Sequence, residues 1–153
     1  MNVVLLLTHM LLSVALIGGI THQALGALAP VQKATGGFFN RFRAVNGAAY
    51  VNAIVILYFV TLILGLIIYP NYRIGARVAM EQFRLKASVG SFELKEHLSA
   101  IGLGLLPAYW WLWQPAQKAF TNSRRIVTLI IAIAVWYGFM VGHYLVNIRG
   151  ITG

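Results

Sequence analysis

The side chains of this sequence best suited to bind a metal or a cofactor are its four histidines, His9, His22, His97 and His143. Each lies in, or at the edge of, a long stretch without Asp, Glu, Lys or Arg. There are four such stretches: residues 3–29, 44–72, 97–117 and 126–148. An ionisable residue at membrane depth is expensive and therefore a candidate functional residue. Imidazole is the commonest metal ligand and a frequent axial ligand of haem. We therefore expect the histidines to mark the functional site.

The elements that carry these histidines have the length and composition of membrane-crossing helices. About 20 apolar residues span a bilayer at about 1.5 Å rise per residue. The chain of 153 residues is 59% hydrophobic and only 10% charged, against about 25% charged in soluble domains. We expect an all-α membrane protein with a single domain over residues 1–153. The predicted bundle has four transmembrane helices, over residues 3–29, 44–72, 92–113 and 126–148.

Four crossings place both termini on one face of the membrane, named side A, together with the loop over residues 70–96. Side B then carries the loops over residues 30–43 and 114–125. Aromatic residues favour membrane interfaces. Three tryptophans are predicted at side B (Trp110, Trp111 and Trp113), and two tyrosines at side A (Tyr69 and Tyr72). We expect the protein in the inner membrane of a bacterium. Because the uncharged N-terminal tail is easy to translocate, we expect both termini on the outer face of that membrane.

The side A loop also has the pattern of an amphipathic helix over residues 74–88. Arg77, Glu81 and Arg84 form one charged stripe at helical spacing. We interpret this segment as an interfacial helix or a polar extension of a span, rather than as a helix that binds a partner.

Charge and residue usage exclude several classes of protein. The net charge of +9 comes from 12 Lys and Arg residues against three acids. Because the basic residues flank the predicted spans, we expect contact with anionic lipid headgroups and no nucleic acid. The absence of cysteine excludes disulfides, thiolate iron–sulfur clusters and covalent c-type haem. The absence of Asp disfavours a Ser-His-Asp enzyme, and no H-E-x-x-H sequence is present.

Three histidines are predicted at nearly one depth. By helical rise, His9 lies roughly 10 Å from side A, and His97 and His143 roughly 8 Å from it. Glu93 is one helical turn before His97. We predict that at least two of these histidines bind one haem b or metal ion, with Glu93 as a carboxylate ligand in the metal alternative.

His22 is predicted to be separate from that site. It lies about 20 Å further along the first helix than His9. We expect His22 to form a hydrogen bond to Asn46 or Asn52 of the second span, and consider it a weaker candidate for cofactor binding.

The distribution of His9, His22, His97 and His143 over several spans resembles that of small four-helix membrane b-type cytochromes, such as the b561-like group. The resemblance implies that two side A histidines ligate one haem b. The sequence departs from the group at side B, where His22 has no partner histidine for a second haem.

Two functions follow from these observations. The first is electron transfer through a haem b or metal ion, with a quinone or a partner redox complex. The alternative is a non-catalytic accessory subunit of a larger respiratory or photosynthetic membrane complex, or a homo-oligomer. Gly138 and Gly142 fit either close helix packing or a cleft for a planar cofactor. A cation-coupled transporter is disfavoured because no acid lies near the predicted midplane.

Overall fold

All regular structure in the described part of the chain is helical. A computed structural model describes residues 3–28 and 37–152. The α-helices in these ranges are α1 (Val3–Leu28), α2 (Phe38–Ala44), α3 (Val51–Asn71), α4 (Arg77–Gln82), α5 (Lys86–Leu112) and α6 (Thr121–Thr152). Short 3-10 helices precede α3 and α6, at Gly47–Tyr50 and Pro115–Phe120. The predicted all-α fold is confirmed for the described residues.

Within residues 3–28 and 37–152, three helical stretches are long and apolar enough to cross a membrane: Val3–Leu28, Gly47–Gln82 and Pro115–Asn147. Helix α5 has 27 residues, but Glu93, Lys95 and Glu96 lower the hydropathy of its first half. The crossing predicted over residues 92–113 and the common side of the termini therefore stay predictions.

Helix α3 does not end at the membrane interface where the second span is predicted to end. It continues past Pro70 through a π-helical turn, Tyr72–Ala76, into α4. The helix predicted over residues 74–88 is thus an extension of α3, and it ends at Gln82. Arg84 then adopts a left-handed conformation, with φ 57°, and the backbone amide of Leu85 donates to the Met80 carbonyl at 2.8 Å. This turn reverses the chain into α5.

The four long helices pack in a ring, in which α1 contacts α3 and α6, and α5 contacts α6 and α3. The larger core lies towards the side B end and draws on all four. It contains Leu16, Ile20, Ala24, Val51, Ile54, Tyr58, Leu106, Tyr109, Trp113, Ile131 and Ala132. A smaller core at the side A end contains Met80, Val141 and Leu145.

The outer surface of the ring is strongly apolar. Leu11, Ile56 and Ile133 are each more than 60% exposed, and they are three of many large hydrophobic side chains that face outwards. Such continuous apolar surface is unfavourable in water and indicates contact with a lipid bilayer. The described chain is therefore a membrane-associated helical bundle.

Candidate functional site

His22 lies in a hydrogen-bond network at the side B end. Its Nδ1 atom bonds with the Tyr50 hydroxyl, and its Nε2 atom lies 2.7 Å from the Phe42 carbonyl oxygen. Because a carbonyl oxygen only accepts, Nε2 carries the proton and Nδ1 accepts from Tyr50. Both ring nitrogens are therefore engaged, and His22 ties α1 to α2 and to the 3-10 turn before α3.

The partners of His22 differ from the predicted asparagines. Asn46 instead accepts from the Ala48 backbone amide at 3.0 Å and begins the 3-10 turn. The side-chain Oδ1 atom of Asn52 accepts from the Trp110 indole at 2.8 Å. Sequence position gives depth but not the direction of a side chain, so residues of similar depth need not meet.

Gln23 is a buried polar residue that the sequence analysis missed. It is 0% exposed. Its Nε2 atom donates to the Gly47 carbonyl at 2.9 Å, and its Oε1 atom accepts from the Tyr109 hydroxyl. Gly47 permits this approach, because a Cβ there would lie 3.2 Å from Gln23 Cγ and 3.1 Å from the Trp113 ring. Both polar atoms of the Gln23 side chain have partners within the protein, which indicates a structural role.

Aromatic residues cluster at both ends of the bundle. At side B, Arg124 lies over the Trp113 ring at 5.2 Å. At side A, the Tyr72 and Phe92 rings stack with centroids 3.7 Å apart, and Tyr69 stacks on Phe92 at 6.0 Å. These two clusters define the ends of the bundle.

His9 faces the interior between α1 and α3. Its Cε1 atom lies 3.4 Å from the Cβ position that a side chain at Gly65 would occupy. The His9 Nδ1 atom and the Thr61 hydroxyl oxygen are both buried, and neither has a hydrogen-bond partner among the described residues. An unpaired buried polar atom costs free energy. The His9 ring also has a hydrogen bond with the Thr61 backbone, so His9 and Thr61 connect α1 to α3.

His97 faces outwards. It is exposed, and its Nδ1 atom donates to the Glu93 carbonyl at 2.7 Å. This bond leaves Nε2 as the unprotonated nitrogen, which is the usual arrangement of a ligating histidine. The Glu93 carboxylate lies 3.5 Å from the Arg77 guanidinium.

His97 and His143 lie at different levels. Helices α5 and α6 run antiparallel, and the Ser88 and Tyr144 hydroxyls, 3.0 Å apart, set their register. His143 therefore lies near the level of residue 89, about eight residues or 12 Å from that of His97. His143 is also exposed.

His9 and His143, in contrast, lie at similar depth. Two hydrogen bonds set the register of α1 against α6: Trp136 Nε1 to Thr21 Oγ1 at 2.8 Å, and Arg125 Nε to Ala27 O at 2.7 Å. Counting along the two antiparallel helices from each pair, the α6 residue level with His9 is 148 by the first pair and 143 by the second. His9 nevertheless faces α3, whereas His143 lies on an exposed face of α6.

The described residues contain no group of three or more His, Asp or Glu side chains that could hold a metal ion. The metal alternative, with His9, His97, His143 and Glu93 as ligands, is thus not assembled in this structure. A haem needs only two histidine ligands.

Lys95, in contrast, lies between helices, and it was not among the candidate site residues predicted from the sequence. Its Nζ atom lies 3.8 Å from the Cβ position of Gly142, and its Cγ atom 4.0 Å from that of Gly138. The ammonium group also lies 5.2 Å from the centre of the Phe92 ring. A Cβ at either glycine would make only ordinary van der Waals contact with the lysine, so Lys95 lies along the face of α6 that carries the two glycines.

The charge of Lys95 also acts electrostatically on the His9 ring. The structure thus places Lys95 between α5 and α6, next to the Phe92 ring near the side A end. The sequence feature that could have identified this lysine is its position inside the span predicted over residues 92–113.

Comparisons with known proteins found no matching family model, no similar curated protein and no similar solved structure.

Proposed function

We propose that this chain is an integral membrane subunit that binds a transmembrane helix of another protein through the outward face of α5. In this proposal α5 is the fourth crossing. The observation that carries it is a stripe of small exposed residues, Ala100, Gly104 and Ala108. They are four residues apart and so share one helix face. A Cβ added at Gly104 would meet nothing within 4 Å. Small residues at this spacing let two membrane helices approach closely.

The same face is polar towards side A. Glu93, Glu96 and His97 are all exposed there, one and two turns before Ala100. Carboxylates and imidazole facing hydrocarbon are costly, so a partner that supplies donors or a basic residue stabilises this end of the face.

The charges favour a different protein over a second copy. A parallel dimer about a two-fold axis would bring Glu93 and Glu96 of one copy towards those of the other. Like charges in a low-dielectric interface repel. We therefore expect a partner with a basic or neutral polar helix end, as part of a larger respiratory or photosynthetic membrane complex.

Site-specific cross-linking in membranes of the native host tests this proposal. A photoreactive amino acid at Gly104 should give one discrete adduct with another membrane protein. Gly18 of α1 is the matched control, since it is exposed and a Cβ there also meets nothing within 4 Å. The adduct should be missing from the Gly18 variant, and Gly104→Leu should remove the complex on native gels whereas Gly18→Leu retains it. Adducts of equal yield at both positions would contradict the proposal, and a homodimer alone would contradict the choice of partner.

Electron transfer through haem b is the second candidate, and the similar depth of His9 and His143 favours it. The His9 Nδ1 atom has no hydrogen-bond partner among the described residues, and the exposed ring of His143 leaves room for a ligand. His97, with its free Nε2 atom, is the further candidate ligand, and a quinone is the candidate electron acceptor.

An absorption spectrum of the purified protein tests this second function. A Soret band that is lost in His143→Ala and kept in His22→Ala would support it, because both nitrogens of His22 are engaged. A colourless protein with full biological activity would leave the assembly function alone.

A further inference from the structure

A groove of about 340 Å³ lies between α4 and the first turns of α5. Met80, Leu85 and Val89 provide its apolar lining. A Cβ added at Gly90, which also lines the groove, would meet nothing within 4 Å, so the groove is open beside this residue. The volume is at the lower end of the range for ligand sites. The groove can therefore take a few side chains, but not a whole helix.

The charged side chains that line the groove leave positive charge without a partner. Glu81 and Glu93 are both paired with the Arg77 guanidinium, at 2.8 Å and 3.5 Å. Arg84 and Lys86 line the groove as well, and neither has a carboxylate within ion-pair distance among the described residues. The groove is therefore complementary to an occupant that combines a carboxylate with an apolar part.

The groove lies in line with the outward face of α5. Lys86 comes 18 residues before Gly104, which is about five helical turns, so both residues lie on the same side of the helix. Gly90 and Glu93 depart from that line by no more than about 40°. A partner helix that follows Gly104 and Ala100 towards side A therefore leaves the membrane beside the groove.

The unpaired cations lie further out than the lipid headgroups. Phe92 belongs to the side A aromatic cluster, and such clusters lie at the membrane interface. Lys86 is six residues further out along α5, or about 9 Å, and a side chain on a helix tilts towards the N-terminus, here outwards. The polar layer of each leaflet is only about 5–7 Å thick. Arg84 and Lys86 thus lie at the outer edge of this layer, where a protein segment in water can reach them.

We infer that this groove binds an acidic, partly apolar segment of the partner, directly outside that protein's transmembrane helix. The inference rests on the proposed function, because it assigns the groove to the same partner. Arg84 and Lys86 pair with carboxylates of the segment, and the apolar lining contacts its hydrophobic side chains. Further in, the exposed Glu96 favours a basic or neutral polar residue. The charge of the partner therefore changes sign at the membrane surface, which fixes the register of its helix along α5.

Cross-linking from Gly90 in membranes of the native host tests the inference. A photoreactive amino acid with a small diazirine side chain at Gly90 should give an adduct with the same protein that is captured from Gly104. Mass spectrometry of the cross-linked peptide should identify a segment next to a transmembrane helix that contains Asp or Glu. Gly75 is the matched control, since it is exposed, lies outside the groove and has nothing within 4 Å of its Cβ position. The adduct should be missing from the Gly75 variant.

Two substitutions remove the positive charge of the groove and favour the observed backbone. Arg84→Gly places glycine at a positive φ, and Lys86→Glu places an acid in the first turn of α5. The double variant should therefore unfold at no lower temperature than the wild type. Its Gly90 adduct should fall about tenfold, the loss expected for a charged hydrogen bond. Arg73→Glu, a charge reversal at an exposed side A residue outside the groove, should keep the wild-type yield.

The outcomes distinguish this inference from the proposed function. A Gly104 adduct without a Gly90 adduct, or a Gly90 adduct with a basic segment, would overturn the inference and leave the proposed function standing. Reaction of the Gly90 probe with phospholipid alone would overturn the inference too, because a lipid would then occupy the groove. Equal adduct yields from the double variant and Arg73→Glu would show that the two cations do not bind the segment. Absence of the Gly104 adduct would overturn the proposed function itself.

Discussion

At the residue scale, two glycines of α5 that are two positions apart have opposite environments. Gly102 is buried against the Tyr58 ring, and a Cβ at this position would lie 2.8 Å from Tyr58 Cζ. The Tyr58 hydroxyl donates to the Ser99 carbonyl at 2.8 Å. Gly104 faces outwards, with nothing within 4 Å of its Cβ position. The absence of a side chain is therefore required by packing at Gly102 and not at Gly104.

Gly102→Ala should destabilise the bundle by about 1–3 kcal/mol, the usual range for an overpacked core site. The added methyl group must displace Tyr58 and weaken its bond to Ser99. Gly104→Ala is the matched control and should be neutral or slightly stabilising, because alanine favours a helix over glycine. Thermal unfolding of the purified protein in detergent measures both. Equal stability of the two variants would show that Tyr58 moves aside without cost.

The histidines show what the sequence alone could give at this scale. Depth along a helix follows from counting residues, and the register of α1 against α6 does bring His9 and His143 to similar depth. Direction requires knowing which face of each helix is inside. His97 is two residues from Lys95, about 200° around the helix, so the residue that enters the ring is the lysine and not the histidine.

At the element scale, Gln23 of α1 connects three parts of the bundle. It bonds to the carbonyl of Gly47, in the 3-10 turn before α3, and to the hydroxyl of Tyr109 on α5. Gln23 and Tyr109 are both out of contact with lipid and water, because each is 0% exposed. This network therefore contributes to fixing α1 and α5 relative to each other.

Gln23→Leu and Tyr109→Phe should each lower the stability by about 1 kcal/mol, the range measured for hydrogen bonds between membrane helices. Because each variant breaks the same bond, the double variant should cost less than the sum of the two. The expected coupling is about 0.5–2 kcal/mol. Gln114→Leu, which affects only a local bond to the Trp110 carbonyl at 3.0 Å, should show no coupling with Tyr109→Phe. Unfolding in SDS–detergent mixtures provides the four free energies, and additive effects would show that Gln23 and Tyr109 act independently.

The elements themselves were predictable where charge-free stretches define them. Helices α1 and α3 lie within the stretches predicted over residues 3–29 and 44–72, although α3 begins only at Val51, and α6 contains the stretch 126–148. All three belong to segments that could cross a membrane. The extension of α3 was predicted only as an alternative to an interfacial helix, and with an end at residue 88 rather than at Gln82. A proline at position 70 normally favours a helix end, but a π-helical turn accommodates the disrupted hydrogen bonding. The end of α4 instead depends on the left-handed Arg84, for which the sequence gives no glycine or asparagine signal.

At the scale of the whole molecule, the ring closes through α5, the helix with the most charge in its first half. Helix α5 contacts both α6 and α3. Leu106 and Tyr109 of α5, and Trp113 directly after it, belong to the larger core. Helix α5 thus packs beside two helices that are both long and apolar enough to cross a membrane. This packing supports α5 as the fourth crossing.

Labelling of single cysteines tests that crossing directly, because the chain has no cysteine of its own. If α5 crosses, Phe83→Cys, in the turn before α5, and Lys118→Cys, in the segment after it, should react with a membrane-impermeant maleimide from opposite sides. Phe83 and Lys118 are both exposed, so neither substitution disturbs the core. Cysteines added beyond each terminus should react from the same side as Phe83→Cys. Reaction of the Phe83 and Lys118 variants from one side would show that α5 does not cross. In that case the termini would lie on opposite sides, and the outward face of α5 would contact water rather than a partner helix.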